Sequence, residues 1–213
     1  GSSFSCNYFG NHAIISGAKT SATLTPAATE FSAADFGNLI EISAAGLSTP
    51  VVITGNDKSN KIYAGAGSAT LNGGTGNDTL FGGAGIDTFV YSNKSGNKVI
   101  ANYAAGETIS LVGGTVSNAL LGGNGDVILK VGSQTITVKG AKGKEIAISE
   151  NGTNKYFLDG ATYNADKTVA TLSAKYSSTD LREFDNTFTT IDVSAVNSKV
   201  NLKANSATGA TLL

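Results

Sequence analysis

The strongest constraint on this chain is a ladder of large apolar residues at one fixed spacing. Ile53, Ile62, Leu71, Leu80 and Phe89 follow one another at intervals of nine residues, four times running. Glycine-rich hexads separate the rungs. Two are complete, Gly73-Gly74-Thr75-Gly76-Asn77-Asp78 and Gly82-Gly83-Ala84-Gly85-Ile86-Asp87, and degenerate versions occupy 55–60 and 64–69. A repeat this short holds one tight turn and one very short strand, so its apolar residue is buried only by stacking on other copies. Periodicity alone therefore predicts a solenoid.

The residue types inside the hexad carry chemistry as well. Glycine reaches positive φ at little steric cost, which lets the loop turn sharply with its carbonyls aimed inward. The aspartate at the sixth position adds a hard anionic oxygen, the ligand type that Ca²⁺ takes in sites of about six to eight oxygens. Both complete hexads fit G-G-x-G-x-D-x-U-x, where U is a large apolar residue. The stretch resembles the calcium-binding nonapeptides of RTX (repeat-in-toxin) proteins.

That resemblance implies a parallel β-roll with two nonapeptides per turn, so that loops two nonapeptides apart share each ion. The implied pairs at the sixth position are Asn60 with Asp78, and Ala69 with Asp87. Each has one Asp where the family usually has two. Asp57 is a candidate to supplement the first pair. The candidate metal residues are thus Asp78, Asp87, Asn60 and Asp57, with the loop backbones of Gly55, Gly73, Gly74, Gly76, Gly82, Gly83 and Gly85. The expectation is one or two weak Ca²⁺ sites, in about the 10⁻⁴–10⁻³ M range of extracellular calcium modules. A calcium-free solenoid whose glycines serve only the turns stays open as the alternative.

Around this stretch the chain reads as strand. Lys19–Leu24, Leu39–Ile42 and Val51–Ile53 have strand character, while Ser32-Ala33-Ala34-Asp35 has capping-box spacing that predicts one helical turn. Ser92–Leu111 resembles the segment that ends a β-roll. Strands are predicted over 98–103, 107–112, 126–131, 134–138, 145–149 and 155–158, with Gly132-Ser133 and Asn151-Gly152 as hairpin turns. The predicted fold is all-β: a short parallel β-roll or β-solenoid over about 40–97, with flanking β-strands packed as a meander or sandwich.

Part of the text then returns. Lys167–Leu172 repeats Lys19–Leu24 at an offset of 148, Phe184 and Asn186 repeat Phe36 and Asn38, and Ile191–Ala195 repeats Ile40–Ala44 at an offset of 151. The expected organisation is a tag or flexible lead-in over 1–18, one repeat unit over 19–160 and the start of a second over 161–213.

Composition narrows the function. Charged residues make up 15% and the net charge is −1, so nothing favours nucleic acid or an anionic membrane as partner. No run approaches the roughly 20 apolar residues of a membrane helix. Cys6 is the lone cysteine and forms no internal disulfide; His12 is the lone histidine and has no carboxylate near it in sequence. No nucleophile elbow, zinc-protease helix or phosphate-binding loop is present. The expectation is a non-enzymatic calcium-binding structural or adhesive module of a large bacterial repeat protein, secreted or on the cell surface, in a fibre, surface layer or stalk. Its expected partners are other copies of itself, as a filament or lattice, and surface glycans. The alternative is the secretion and folding module of a type I-exported hydrolase or toxin.

Overall fold

Short strands of two to six residues joined by tight turns make up the described chain, and in the coils from β3 to β16 alternate side chains turn inward. The computed structural model describes residues 8–10, 12–92, 96–158, 161–166, 168–172, 178–180, 189–194, 201–203 and 211–212. Cys6, Lys167, Phe184, Asn186 and Ala195, named above, lie outside them.

The first strands are β1 (Tyr8–Gly10), β2 (Ala13–Ile15), β3 (Ser21–Leu24), β4 (Glu30–Ser32), β5 (Glu41–Ser43), β6 (Val51–Thr54), β7 (Lys61–Tyr63) and β8 (Ala69–Asn72). Next come β9 (Asp78–Phe81), β10 (Thr88–Ser92), β11 (Lys98–Ile100), β12 (Thr108–Val112), β13 (Asn118–Leu121), β14 (Val127–Val131), β15 (Gln134–Val138) and β16 (Ile146–Glu150). The last are β17 (Thr153–Leu158), β18 (Ala161–Tyr163), β19 (Val169–Leu172), β20 (Ser178–Asp180), β21 (Thr190–Asp192), β22 (Asn201–Lys203) and β23 (Thr211–Leu212).

Successive strands go alternately to two sheets, which is the winding of a β-solenoid. In one sheet β3, β5, β7, β9, β11 and β15 stack in parallel; in the other β4, β6, β8, β10, β12 and β16 do the same. The nine-residue ladder divides between them. Ile62 sits on Leu80 in the first sheet, and Ile53, Leu71 and Phe89 form a column in the second. All five are at most 1% exposed, and a fully buried side chain of this size contributes about 1.5–3 kcal/mol. On the outside, Tyr63 and Phe81 stack with ring centroids 4.4 Å apart.

The roll is longer than the expected 40–97. Its parallel rungs run from Ser21 to Glu150, so β11, β12, β15 and β16 are coils of the solenoid, and the expected meanders lead off from it as β13-β14-β15 and β16-β17-β18-β19. The coil length explains the difference. Val52 pairs with Thr70 and Thr70 with Thr88, but Thr88 pairs with Thr108 and Glu41 with Lys61. Two extra residues per coil on either side of the nonapeptides erase the nine-residue spacing while preserving the inward alternation.

True antiparallel hairpins occur where turn chemistry predicts them. Gly132 at φ 60° joins β14 to β15, and Asn151 and Gly152 at φ 49° and 86° join β16 to β17. The predicted helical turn at Ser32–Asp35 is absent. Phe36 N–H donates to Ala33 O and Leu39 N–H to Phe36 O, two successive tight turns that carry the chain around a corner of the coil. β1 and β2, within the stretch read as lead-in, form an antiparallel ladder on β3.

Candidate metal centre

The sixth hexad positions lie where each loop enters its strand, so stacking the coils lines them up in two columns. One column holds Asn60, Asp78 and Lys98; the other holds Ala69, Asp87 and Glu107. Each Asp anchors itself to the coil before it: Asn60 N–H donates to Asp78 Oδ1 and Ala69 N–H to Asp87 Oδ1, both at 2.7 Å. One oxygen of each carboxylate therefore serves the stack. The columns differ in what reaches the other.

In the first column protein groups fill every interval. Asn60 Oδ1 accepts from Asn56 N–H, and its Nδ2 donates to Leu39 O at 2.8 Å. Lys98 Nζ lies 2.9 Å from Asp78 Oδ2, donates to Gly76 O at 2.7 Å and stands over the Tyr91 ring. Both members of this ion pair are buried. Burial pushes the Asp78 carboxyl up and the Lys98 ammonium down, outweighing the mutual attraction and the Asn60 N–H that oppose it. The lysine is a resident cation at a position where the implied family pattern places an anion.

In the second column two acids meet. Asp87 Oδ2 accepts from Gly83 N–H at 2.8 Å. Glu107 is fully buried; its Oε2 accepts from Ala104 N–H at 2.7 Å, while Oε1 has no donor in the protein. Tyr103 fixes this loop, its hydroxyl donating to Glu107 O at 2.6 Å and accepting from Ala147 N–H at 2.9 Å. Desolvation first, and then the neighbouring Asp87 carboxylate, push Glu107 up to about 7 against the Ala104 hydrogen bond.

These residues fit a calcium ion on two grounds. One is the buried Glu107 Oε1 without a donor. The other is a cradle at Gly82: a Cβ there would lie 2.8 Å from Asp87 Oδ2 and 3.0 Å from Glu107 Oε1, so both carboxylates converge on space that any side chain would fill. Among the described residues no three His, Cys, Asp or Glu side chains cluster, so the remaining ligands of an ion would be backbone oxygens or water, as a hard cation accepts.

The other expected residues divide. Asp57 stands apart, 72% exposed and 3.7 Å from Lys58, and does not supplement the Asn60–Asp78 pair. The glycines are spacing elements first. A Cβ on Gly83 would lie 1.4 Å from Gly65 O, one on Gly76 1.9 Å from Lys58 O and one on Gly85 2.6 Å from Gly67 O, so consecutive loops touch backbone to backbone. Gly74, at φ 86°, presses on Asn56 O, and the would-be Cβ positions of Gly55 and Gly73 fall on Asn60 Oδ1 and Asp78 Oδ2.

Lys98 and Glu107 were missed as site residues because the coils carrying them are two residues longer. A signal was present nonetheless. Asp78-Thr79-Leu80, Asp87-Thr88-Phe89 and Glu107-Thr108-Ile109 are one acid–threonine–apolar triplet three times over.

Stacked glycine loops with Asp78, Asp87 and Glu107 at three of the strand entries make this solenoid a β-roll. Residues 53–89 match the family model of the RTX calcium-binding nonapeptide repeat, in four copies. No curated protein and no solved structure matches the chain. The chain thus carries a calcium-binding repeat module of the RTX type.

The Glu107 environment sets a pH dependence. In the calcium-free fold this acid stays protonated up to about 7, whereas a glutamate free of these neighbours ionises at 4.5. Across that window the folded state binds more protons than the unfolded one, so stability falls as pH rises and levels off above about 7. Each unit of difference is worth about 1.4 kcal/mol. In EDTA, melting from pH 5 to 8 is expected to show a steeper decline for the wild type than for Glu107→Gln. Parallel curves would contradict the assignment.

Proposed function

We propose that the chain is a non-enzymatic, calcium-braced structural or adhesive module of a large secreted or cell-surface bacterial repeat protein. The buried Asp87–Glu107 pair, which joins the last residues of the RTX repeats to the coil that follows them, carries this reading. Two such acids repel in a dry interval unless a proton or a cation lies with them. In the other column Lys98 already supplies that charge and Asn60 supplies amide donors, which supports a single calcium site in place of two. Bound there, Ca²⁺ contributes positive charge and no reaction step. Asp87 and Glu107 hold it, and the backbone N–H groups of Ala69, Gly83 and Ala104 orient their carboxylates.

A bacterial extracellular setting agrees with the need for external calcium, and among the described residues no helix is long and apolar enough to cross a membrane. Calorimetry tests the reading. Calcium is expected to raise the melting temperature relative to EDTA, and Glu107→Gln to weaken calcium binding at least about tenfold, or about 1.4 kcal/mol. Asp57→Asn is expected to leave it unchanged. A melting curve insensitive to calcium would sink the calcium-braced version. A catalytic domain encoded next to this segment, in place of further copies, would favour the export module of a type I-secreted hydrolase or toxin.

A further inference from the structure

The two ends of the described chain contain the same piece of architecture. β1, β2 and β3 form an antiparallel ladder with Tyr8 opposite Ile15, Phe9 opposite Ile14 and Ala13 opposite Leu24. β17, β18 and β19 form the same ladder with Tyr156 opposite Tyr163, Phe157 opposite Thr162 and Ala161 opposite Leu172. Every position is displaced by 148 residues, from Tyr8 to Tyr156, and the dipeptide Tyr-Phe recurs at the same register.

Beyond the ladder both copies turn into solenoid in the same way. Ala22 pairs in parallel with Ile42, and Ala170 with Ile191; Phe31 pairs with Ile53, and Thr179 with Leu202; Ile42 pairs with Ile62, and Ile191 with Leu212. Ile191 thus takes the place of the buried Ile42, not of Ile40 as the sequence repeat suggested, because inward-facing partners pair with each other.

The copies differ at one edge. β17 is flanked by β16, with Ile146 opposite Phe157 and Ala147 opposite Tyr156, and β16 in turn lies on the parallel strand β12. A single sheet therefore runs from β4 through β12 and β16 into β19, β21 and β23 without a break. β1 is the terminal strand of its sheet, and among the described residues nothing pairs with its outer edge.

We propose that the outer edge of β1 is the acceptor for a β16-type strand of the unit ahead of it in the same polypeptide, so that the unit boundary is the β16–β17 hairpin turn. A separate molecule is a poor donor, because both edges of its β16 are already taken by β12 and β17. A preceding unit delivers the strand through a two-residue turn like Asn151-Gly152. Joined this way, consecutive units share one uninterrupted sheet across each joint, and the array is a continuous rod and not beads on linkers. Edge pairing of this kind satisfies backbone groups that otherwise invite aggregation. The inference builds on the tandem-repeat reading above but not on calcium, so the test below leaves the calcium measurements untouched.

The test fuses a copy of residues 144–152 directly ahead of Ser5, the residue equivalent to Thr153, in the full chain. Amide exchange at Tyr8–Gly10 is expected to slow at least about tenfold, approaching that of Tyr156–Leu158 in the same molecule, and a fused segment carrying Ile146→Pro and Ile148→Pro is expected to produce no slowing. The same nine residues added as a free peptide to the unmodified chain read the edge even where a fusion folds poorly, and slowing there also supports the assignment. Exchange unchanged in both formats, or slowed equally by the proline version, overturns it.

Discussion

Replacing Lys98 with Met is expected to cost the calcium-free protein about 3–5 kcal/mol, the usual penalty for removing one member of a buried ion pair. Asp78 keeps its hydrogen bond from Asn60 N–H but loses the ammonium 2.9 Å from its second oxygen, in a site that water does not reach. The loss shrinks on acidification, because a protonated Asp78 no longer needs a cation, and chemical denaturation at pH 8 and pH 5 measures both effects. Lys98→Asp is the informative companion. It restores two facing acids like those of the other column, and its stability is expected to become strongly calcium-dependent. Equal stability of wild type and Lys98→Met at pH 8 would show that the lysine is not the resident cation.

Gly83→Ala is expected to be comparably severe, about 4 kcal/mol or more, the range reserved for mutations that break a specific structural element. The new methyl would sit 1.4 Å from Gly65 O, and Ala84 N–H donates to that same carbonyl. Neither partner is a side chain that can swing away, so relief requires parting two coils and breaking parallel hydrogen bonds between them. Gly46→Ala, with nothing within 4 Å of its Cβ position, is the control and is expected to change stability by no more than about 0.5 kcal/mol. Thermal melts of the two variants decide the matter, and similar melting temperatures would refute the close-contact argument.

The residues that could be read ahead of the structure are those whose role is local. Ile53, Ile62, Leu71, Leu80 and Phe89 declare a coil because each must be buried at every half turn, and all five are. Gly132-Ser133 and Asn151-Gly152 declare hairpins because their dihedrals are set by the two residues themselves. The Ser32–Asp35 helical turn failed for the complementary reason. Its spacing suits a capping box, but the coil on either side leaves room only for a corner.

Charge partners are different in kind. Asp78 and Asp87 look equivalent in sequence, each closing a complete hexad. Which faces a lysine and which a second acid depends on the residue one coil later, Lys98 or Glu107, and coil length is a property of the stack. The joint at β16–β17 is likewise a matter of which strand edges are filled.

What the linear order of residues settles here is the winding: short alternating strands, glycine at each close approach and an apolar residue in every coil, all declared by the nine-residue repeat because every copy makes the same contacts with the copies stacked on it. Only the stacked structure decides where positive charge is already present and where it must come from outside. Electrostatic pairing in a buried site is determined by distance across coils, and two inserted residues are enough to hide that distance from the repeat while leaving the stack intact.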